Sequence, residues 1–294
     1  MNQPSHFAKN LLGISTSTPD KSLSQGSVFD SASDYVSFLD RARETAPSYW
    51  VRTAEDLVWS QPHQGLGKPG DWFSGGTLNI WGPCFDTQAL KSDSRAAGLH
   101  TVGPDNTVNA LSTEELAASV DRAAAQLAAA GLSVGDRVLV ALSPGDSWVR
   151  SILACLKLGL VCVPVSPAES PATVSRRFEK AGCQLMLTDP SSSPVDKIPE
   201  SKILRLRDDP PGEQGPATVP VGPMHPAFVL SDAAGQLFTV PTAGFMVQAV
   251  SAYRYLLDGR GSGDVTWMLP RPDHTSALAA MLGTLAGGGE VGIL

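Results

Sequence analysis

The stretch that decides the fold is "LSTEELAASVDRAAAQLAAAGLSVGDRVLVALSPGDSWVRSILACLKLGLVCVPV", residues 111–165. Its first third predicts an amphipathic helix, because Ser112 and Glu115 have the spacing of a capping box and the apolar residues that follow recur on one helical face. Gly131 stands where such a helix ends. The start, the apolar face and the stop therefore agree on one helix over about 112–130.

Buried strands alternate with further helices after this point. A turn leads into a strand over Val138–Leu142, and a second helix that ends at Gly159 precedes the strand "LVCVPV". Ser170 and Pro171 open a third helix as cap and first residue, and "QLMLTD" is a third strand. Nearly continuous apolar strands that alternate with helices predict an α/β fold: a mostly parallel sheet covered by helices on both faces.

The alternation continues towards the end of the sequence. "KILRL" predicts a fourth strand, and a linker rich in proline and glycine follows over 207–223. After it we expect a strand around Phe228–Leu230, a loop over 231–241 and a helix over about 242–257. A strand "VTWML", a helix over about 275–285 and a last strand "EVGIL" complete the pattern.

The residues that precede this pattern differ in composition. Residues 1–34 are rich in Ser, Thr and Asp, which predicts a flexible N-terminus. Residues 35–96 contain four of the six tryptophans and predict an N-terminal Trp-rich wrapping segment that docks on the α/β part. We assign residues 97–294 to the main domain.

Composition and charge argue against several classes of protein. The formal net charge of −7 and the pI of about 5.2 disfavour a nucleic-acid-binding protein, which would carry a basic face. No apolar run reaches the ~18 residues of a membrane span, so we expect no membrane association. The N-terminus lacks the pattern of a secretory signal, which favours a cytoplasmic protein. A mitochondrial presequence is less favoured, because Lys9 is the only Lys or Arg among residues 1–20.

The cysteines and histidines predict no metal site. The five histidines are scattered, and no C-x-x-C pair occurs among the four cysteines, which are Cys84, Cys155, Cys162 and Cys183. Reduced, buried thiols are therefore the expected state.

Several segments together resemble the N-terminal part of AMP-forming acetyl-CoA synthetases, within the adenylate-forming superfamily. "DWFSGGTLNIWGPCFD" (71–86) resembles that family's "WF-x-GG-x-LN…NCLD" segment, with Pro83 in place of the Asn. The 111–165 stretch resembles its "TY-x-EL…GDRV" region, and "SPATVSRRF" (170–178) resembles its "SPEAVAGRI". "TAGFMVQAVSAYRYLLDGRGSGDVTW" (242–267) is similar to the segment after the family's phosphate loop. The match is collinear over about 35–294, and it implies the AMP-binding fold with ATP, AMP and CoA as ligands.

The segment that corresponds to the family's phosphate loop departs from it. Where the family has "TSGSTGKPKG", this sequence has "SDAAGQLFTV" (231–240), without a lysine and with one glycine, Gly235. Asp232 adds a negative charge that would cost on the order of 4 kcal/mol at 4 Å from a phosphate and an effective dielectric of about 20. The resemblance therefore implies a degenerate nucleotide site, of which Gly235, Thr239, Trp267 and His274 (near the family's "TGH") remain.

The coenzyme A site departs as well. The family has Gly-Gly-Phe before its "SPEA" and a pair of arginines after the third strand, whereas here Ser166–Glu169 reads "SPAE" and "TDPSSSPVDK" has no arginine. Arg176 and Arg177 are interpreted as a solvated helix face. The sequence also ends where the family is about half complete, so its later adenine-binding and catalytic regions are not expected. We therefore assign no catalytic residue and expect no cofactor, although the family implies ATP or AMP and CoA.

Other site patterns fit less well. "GRGSGD" is close to the nucleophile elbow G-x-S-x-G, but it lies between a helix and a strand, whereas the elbow needs a strand followed by a helix. The dinucleotide fingerprint G-x-G-x-x-G is missing after the first strand.

Three hypotheses about function follow. The first, which we favour, is a non-catalytic acetyl-CoA synthetase-like protein that binds a partner or ligand. The second is a subunit or fragment that is active only with a complementary chain, or a truncated gene product with no function. The third is an active short-chain acyl-CoA ligase with unusual motifs. We expect a homo-oligomer or a protein partner on the 275–294 face, because strand "EVGIL" and the apolar helix before it would otherwise leave an uncovered edge.

Overall fold

The structure is a computed structural model. It describes residues 27–68, 70–86, 97–103, 105–166, 168–189, 195, 197–207, 215–232, 234–268, 271 and 273–294. Within these residues, no helix is long and apolar enough to cross a membrane.

Eight α-helices and twelve strands are found among the described residues. The helices are α1 (Ala32–Glu44), α2 (Ala46–Glu55), α3 (Trp81–Phe85), α4 (Thr113–Ala129), α5 (Asp146–Lys157), α6 (Pro171–Ala181), α7 (Thr242–Tyr255) and α8 (Thr275–Ala286). The strands are β1 (Trp59–Gln61), β2 (Thr77–Leu78), β3 (Ala97–Val102), β4 (Val108–Ser112), β5 (Arg137–Ala141), β6 (Val161–Pro164), β7 (Leu185–Thr188), β8 (Ile203–Leu204), β9 (Pro226–Ser231), β10 (Leu237–Pro241), β11 (Val265–Met268) and β12 (Glu290–Ile293).

The predicted α/β fold with a mostly parallel sheet is confirmed. A six-stranded sheet has the order β10-β9-β6-β5-β7-β8, in which β10 alone runs antiparallel to its neighbour. Successive residues of β5 serve two cores, because Val138 and Val140 pack with α4, α5 and α7, whereas Leu139 and Ala141 pack with α6 on the opposite face. Helices therefore cover both faces, as the apolar strands require.

The local signals that predicted the helices have the expected geometry. The Ser112 side chain accepts from the backbone N–H of Glu115, whose carboxylate accepts from the N–H of Ser112, so the capping box of α4 is complete. The Ser170 side chain caps α6 by accepting from the N–H of Thr173, and Gly182 ends the helix at a φ of 65°, which favours glycine. The starts and ends of α4 and α6 are confirmed.

A second, four-stranded sheet corrects our expectation about the end of the chain. Its order is β11-β12-β3-β4, and β12 pairs in parallel with both β11 and β3. "EVGIL" is therefore an interior strand, and the prediction that it forms an uncovered edge is wrong. The pairing with β3 was missed because "AGLHTV" lies in the part of the chain that we gave no element.

Helix α8 is also covered within the chain. Its apolar side chains are between 0% and 3% exposed, namely Leu278, Met281, Leu282 and Leu285. The helix approaches α7 so closely that a Cβ on Gly283 would collide with the carbonyl oxygen of Ala249. The apolar helix face that motivated a partner at 275–294 is thus internal, and the homo-oligomer or partner stays a prediction without that support.

The Trp-rich segment docks on the α/β core wherever it is described. Phe73 and Trp81 belong to the same apolar cluster as β5 and α8, and Trp50, Trp59 and Trp72 pack against that cluster. The indole N–H of Trp59 donates to the carbonyl oxygen of Ala54 at 2.7 Å. The wrapping role is confirmed for these residues, whereas 87–96 lie outside the described residues, and the boundaries 1–34, 35–96 and 97–294 stay predictions.

Two flanking regions are more ordered than we expected. The backbone N–H of Val28, in the stretch predicted to be flexible, donates to Asp258 at 2.8 Å, while residues 1–26 lie outside the described residues. In the predicted linker, Val221 is buried and bonds with the backbone of Leu78. The first bond ties the N-terminal stretch to the main domain, and the second ties the wrapping segment to the predicted linker.

All four cysteines are free and buried, as predicted. Burial raises the pKa of Cys84 and Cys162, and it raises the pKa of Cys183 to about 12. Because the thiolate is the reactive form, these side chains are packing groups and not nucleophiles.

Candidate functional site

The segment that we expected to be a loop between β9 and α7 is a β-hairpin. Strand β10 runs antiparallel to β9, with Thr239 opposite Val229 and Leu237 opposite Ser231. We missed β10 because the comparison with the family loop took precedence over the run "LFTV", whose aromatic and β-branched residues are typical of a strand. The described residues at the tip of the hairpin are Asp232 and 234–236.

Asp232 organises this tip from its own side chain. Its Oδ1 accepts from the backbone N–H of Ala234 at 2.9 Å and of Gln236 at 2.8 Å. Its backbone carbonyl accepts from the N–H of Gly235, which has a φ of 75°. A short acidic side chain that bonds to the backbone two residues on is a common turn device. Three amides that would have to point at a phosphate are thus bonded within the hairpin.

A cleft of about 740 Å³ lies beside this hairpin. It is formed by the tip of β9–β10, by one side of α6 with the residue Glu169 before it, and by the segment 271–275 before α8. These parts follow the carboxyl ends of β6, β9 and β11, the position where ligands bind in open α/β sheets. Its lining residues are Glu169, Thr173, Arg176, Arg177, Lys180, Ser231, Asp232, Ala234, Gly235, Leu237, Phe238, Arg271, Asp273, His274 and Thr275.

The cleft brings together two of the four residues that we predicted as remnants of a nucleotide site. Gly235 and His274 both line it, and the His274 ring caps α8 by accepting from the N–H of Ser276. Thr239 and Trp267 do not line it, since Thr239 is exposed on β10 and Trp267 lies on β11 with its ring centroid 6.0 Å from that of His100. A nucleotide role for the four residues stays a prediction.

Helix α6 supplies cationic side chains to the cleft, which the sequence analysis had interpreted as a solvated helix face. Arg176 is exposed, as expected for a solvated helix face, but Arg177 is only 9% exposed, so that interpretation is wrong for Arg177. The signal was present, because Val174, Arg177 and Ala181 share one helical stripe at spacings of three and four. Lys180 and Arg271 add two further cations to the cleft.

Two oppositely charged side chains in the cleft each have one atom without a partner among the described residues. Nη1 of Arg177 and Oδ1 of Asp273 are both sealed from solvent without a hydrogen-bond partner. No ion pair joins the two residues in the part of the chain that the structure describes, although both line the same cleft. Buried charges are normally paired, so these atoms are the chemically unusual feature of the site. Among the described residues, no group of His, Cys, Asp and Glu is arranged to hold a metal ion.

The motif at 71–86 lies outside the cleft and has a structural role. Asn79 is buried, and its side-chain amide donates to the carbonyls of Leu156 and Lys157 at 2.9 and 3.1 Å and of Val219 at 2.6 Å. Its Oδ1 accepts from the N–H of Trp81. Asn79 thus caps the carbonyls at the end of α5 and fixes the wrapping segment to the domain.

An α/β protein with a cleft beyond the carboxyl ends of parallel strands has the architecture of a small-molecule-binding fold. The chain belongs to the AMP-binding enzyme family, whose model matches residues 85–294.

Two similar proteins carry the name acetyl-coenzyme A synthetase. The acetyl-coenzyme A synthetase of Mycobacterium tuberculosis (strain ATCC 25618 / H37Rv) is 29% identical over 184 residues, which are 60% of this chain and 28% of that protein. The human acetyl-coenzyme A synthetase 2-like, mitochondrial, is 30% identical over 155 residues, 50% of this chain and 22% of that protein. The chain thus matches less than a third of the length of these relatives.

A solved structure supports the fold. Acetoacetyl-CoA synthetase from Streptomyces lividans superposes with a TM-score of 0.72 and 21% sequence identity, over 85% of this chain and 45% of that chain. This likeness shows the fold alone.

Proposed function

We propose that this chain does not catalyse adenylation and that it acts by binding a ligand or a protein partner on the AMP-binding fold. The observation that carries the proposal is the closed tip of the β9–β10 hairpin. Asp232 occupies the amides of Ala234 and Gln236, and its carbonyl occupies that of Gly235. A phosphate loop needs free backbone amides and usually a lysine, and residues 231–241 contain no lysine.

The hydrogen bonds of Asp232 are a stronger obstacle to a phosphate than its charge. The side chain is exposed, so solvent and salt screen its repulsion well below the value expected from sequence. The amides, in contrast, are already donating, and a phosphate would have to break those bonds before it gained its own. Neutralising the charge should therefore not restore nucleotide binding.

The alternative is a short-chain acyl-CoA ligase that converts acetate, ATP and CoA to acetyl-CoA, AMP and pyrophosphate, alone or with a complementary chain. Membership of the AMP-binding family and similarity to acetyl-CoA synthetases favour it. The two proposals differ in whether the pure chain turns over.

Acetate-dependent exchange between ATP and pyrophosphate separates them. We expect no exchange above a protein-free control for the pure chain, with an active acetyl-CoA synthetase as the positive control. Asp232→Asn keeps the Oδ1 acceptor and removes the charge, so we also expect no gain in ATP-Mg affinity by calorimetry. Exchange that is lost on mutation of this chain, or tight ATP binding by Asp232→Asn, would refute the proposal.

A further inference from the structure

Arg177 projects from a capped helix, lines the cleft and has no partner among the described residues. It lies on the buried stripe of α6, whose start is fixed by the Ser170 cap and whose end is fixed by Gly182. It makes no hydrogen bond or ion pair with any described residue, and its Nη1 is sealed from solvent. The side chain nevertheless lines the cleft and is nine-tenths buried, so the guanidinium lies beside an accessible cavity.

An unpaired buried cation is costly. Leaving one hydrogen-bonding group unsatisfied costs about 1–3 kcal/mol, and more when the group is charged. A buried cation without a partner suits an anion site. The conformational entropy of the side chain is already lost in the free protein, so binding an anion does not have to offset that loss.

The surroundings favour an anion. Arg176 and Lys180 on the same helix and Arg271 before α8 also line the cleft, so its four cations outnumber its three carboxylates, which are Glu169, Asp232 and Asp273. A guanidinium with cationic neighbours is complementary to a phosphate, both in hydrogen-bond geometry and in charge.

Asp273 sets a second requirement. Its Oδ1 is sealed and unpartnered in the same cleft, and the carboxylate of an aspartate can only accept hydrogen bonds when it is ionised. A ligand that offers only an anion would leave this acceptor unpaired and would be repelled by it. The complementary ligand therefore carries a donor, and a positively charged amino group suits it best.

We propose that the cleft binds a small phosphate monoester that also carries an amino group, with the phosphate on Arg177 and the amino group on Asp273. This inference rests on the proposed binding function and names its ligand class. The phosphate is bound by a helix side chain and its cationic neighbours, whereas the amides of the β9–β10 tip take no part. The cleft volume of about 740 Å³ lies within the usual range for small-molecule sites.

Calorimetric titration of the whole chain with matched probes tests the proposal. The probes are 2-aminoethyl phosphate, ethyl phosphate and ethanolamine, of which only the first carries both groups. We expect 2-aminoethyl phosphate to bind about tenfold more tightly than ethyl phosphate, which corresponds to one charge-assisted hydrogen bond, and ethanolamine to bind least.

Two substitutions separate the roles of the two side chains. Arg177→Gln should weaken both phosphates by about tenfold or more. Asp273→Asn should weaken 2-aminoethyl phosphate alone and bring the two phosphates to similar affinities. Arg43→Gln removes a positive charge from a side chain that is 76% exposed and remote from the cleft lining, and it should change neither affinity. Circular dichroism melting confirms that each variant is folded.

The outcomes are distinct from those that test catalysis. No binding of either phosphate, unchanged binding in Arg177→Gln, or equal binding of the two phosphates by the wild-type chain would overturn the inference. ATP–pyrophosphate exchange would refute the proposed function and leave these titrations as they are. A failed titration without exchange refutes only the ligand class.

Discussion

Two of the cations that are buried among the described residues, Lys157 between α4 and α5 and Arg177 on α6, are satisfied in different ways. Lys157 is 5% exposed, its ammonium pairs with the carboxylate of Asp121, and it lies 4.0 Å from the centroid of the Trp81 ring. Arg177 is 9% exposed and has neither a carboxylate nor a ring as a described partner. The two side chains are thus buried to a similar extent, but only Lys157 has a partner for its charge among the described residues.

The difference separates a structural charge from one that is available to a ligand. Lys157 lies where the wrapping segment meets the domain, and its carbonyl accepts from Asn79 and from the N–H of Val219. The ammonium and the carbonyl of Lys157 therefore both have partners within the chain. Arg177 lines the cleft and none of the described residues pairs with it, which is the arrangement proposed above for a ligand site. Sites that bind ligands often retain such an energetic cost.

The largest expected effect comes from breaking the satisfied pair. Asp121→Ala leaves the Lys157 ammonium buried without its carboxylate, so we expect the free energy of unfolding to fall by about 3 kcal/mol. This is the lower end for a buried pair, because the Asp121 side chain is 32% exposed. Urea unfolding followed by circular dichroism measures the change.

Two variants control for this result. Asp121→Ala combined with Lys157→Met should recover most of the loss, because an apolar pair of similar volume removes the unpaired charge. Asp40→Ala breaks the pair with Arg43, whose side chains are 61% and 76% exposed, and should change stability little. If Asp121→Ala and Asp40→Ala had equal effects, Lys157 would not be the structural charge that its contacts indicate.

A smaller effect of opposite sign is expected at the unpartnered cation. Arg177→Met removes a guanidinium that lacks a partner and keeps an unbranched apolar side chain on the buried stripe of α6, so we expect the free energy of unfolding to rise by about 1 kcal/mol. The same denaturation experiment, without phosphate in the buffer, measures it. A loss of stability of that size would mean that Arg177 holds the fold together, and the contrast with Lys157 would disappear.

The fold could be predicted further than the site. The capping box of α4, the caps of α6 and the apolar strands β5, β6 and β7 are encoded within a few residues each, so local rules found them. Arg177 also left a local signal, since it shares a helical stripe with Val174. The outer strands and the cleft are different, because they depend on distant segments. β12 is interior only because β3, almost 200 positions earlier, pairs with it.

The burial of Asp273 had no signal in its own neighbourhood. The cleft that surrounds it is made by α6, by the β9–β10 hairpin and by the segment that contains it. The motif at 71–86 was of little help there, since its Asn79 fixes the wrapping segment to the domain and lies outside the cleft. A motif that fixes a fold identifies the family but does not locate this chain's charged groups.

The smallest expected effect concerns a third charged group, Asp232, whose partners are local. Asp232→Ala removes the acceptor of two backbone N–H groups in an exposed turn, so we expect a loss of about 0.5 kcal/mol in the free energy of unfolding. Amide hydrogen exchange should be faster at Ala234 and Gln236, which lose their acceptor, and unchanged in the middle of β9. Asp232→Asn retains Oδ1 and should keep both the slow exchange and most of the stability. Fast exchange in Asp232→Asn would mean that the negative charge, and not the hydrogen-bond geometry, closes the tip of the hairpin. Equal exchange in all three proteins would mean that the two amides are not bonded to Asp232 in solution and are free to meet a phosphate, which would remove the basis for distinguishing this hairpin from a phosphate loop.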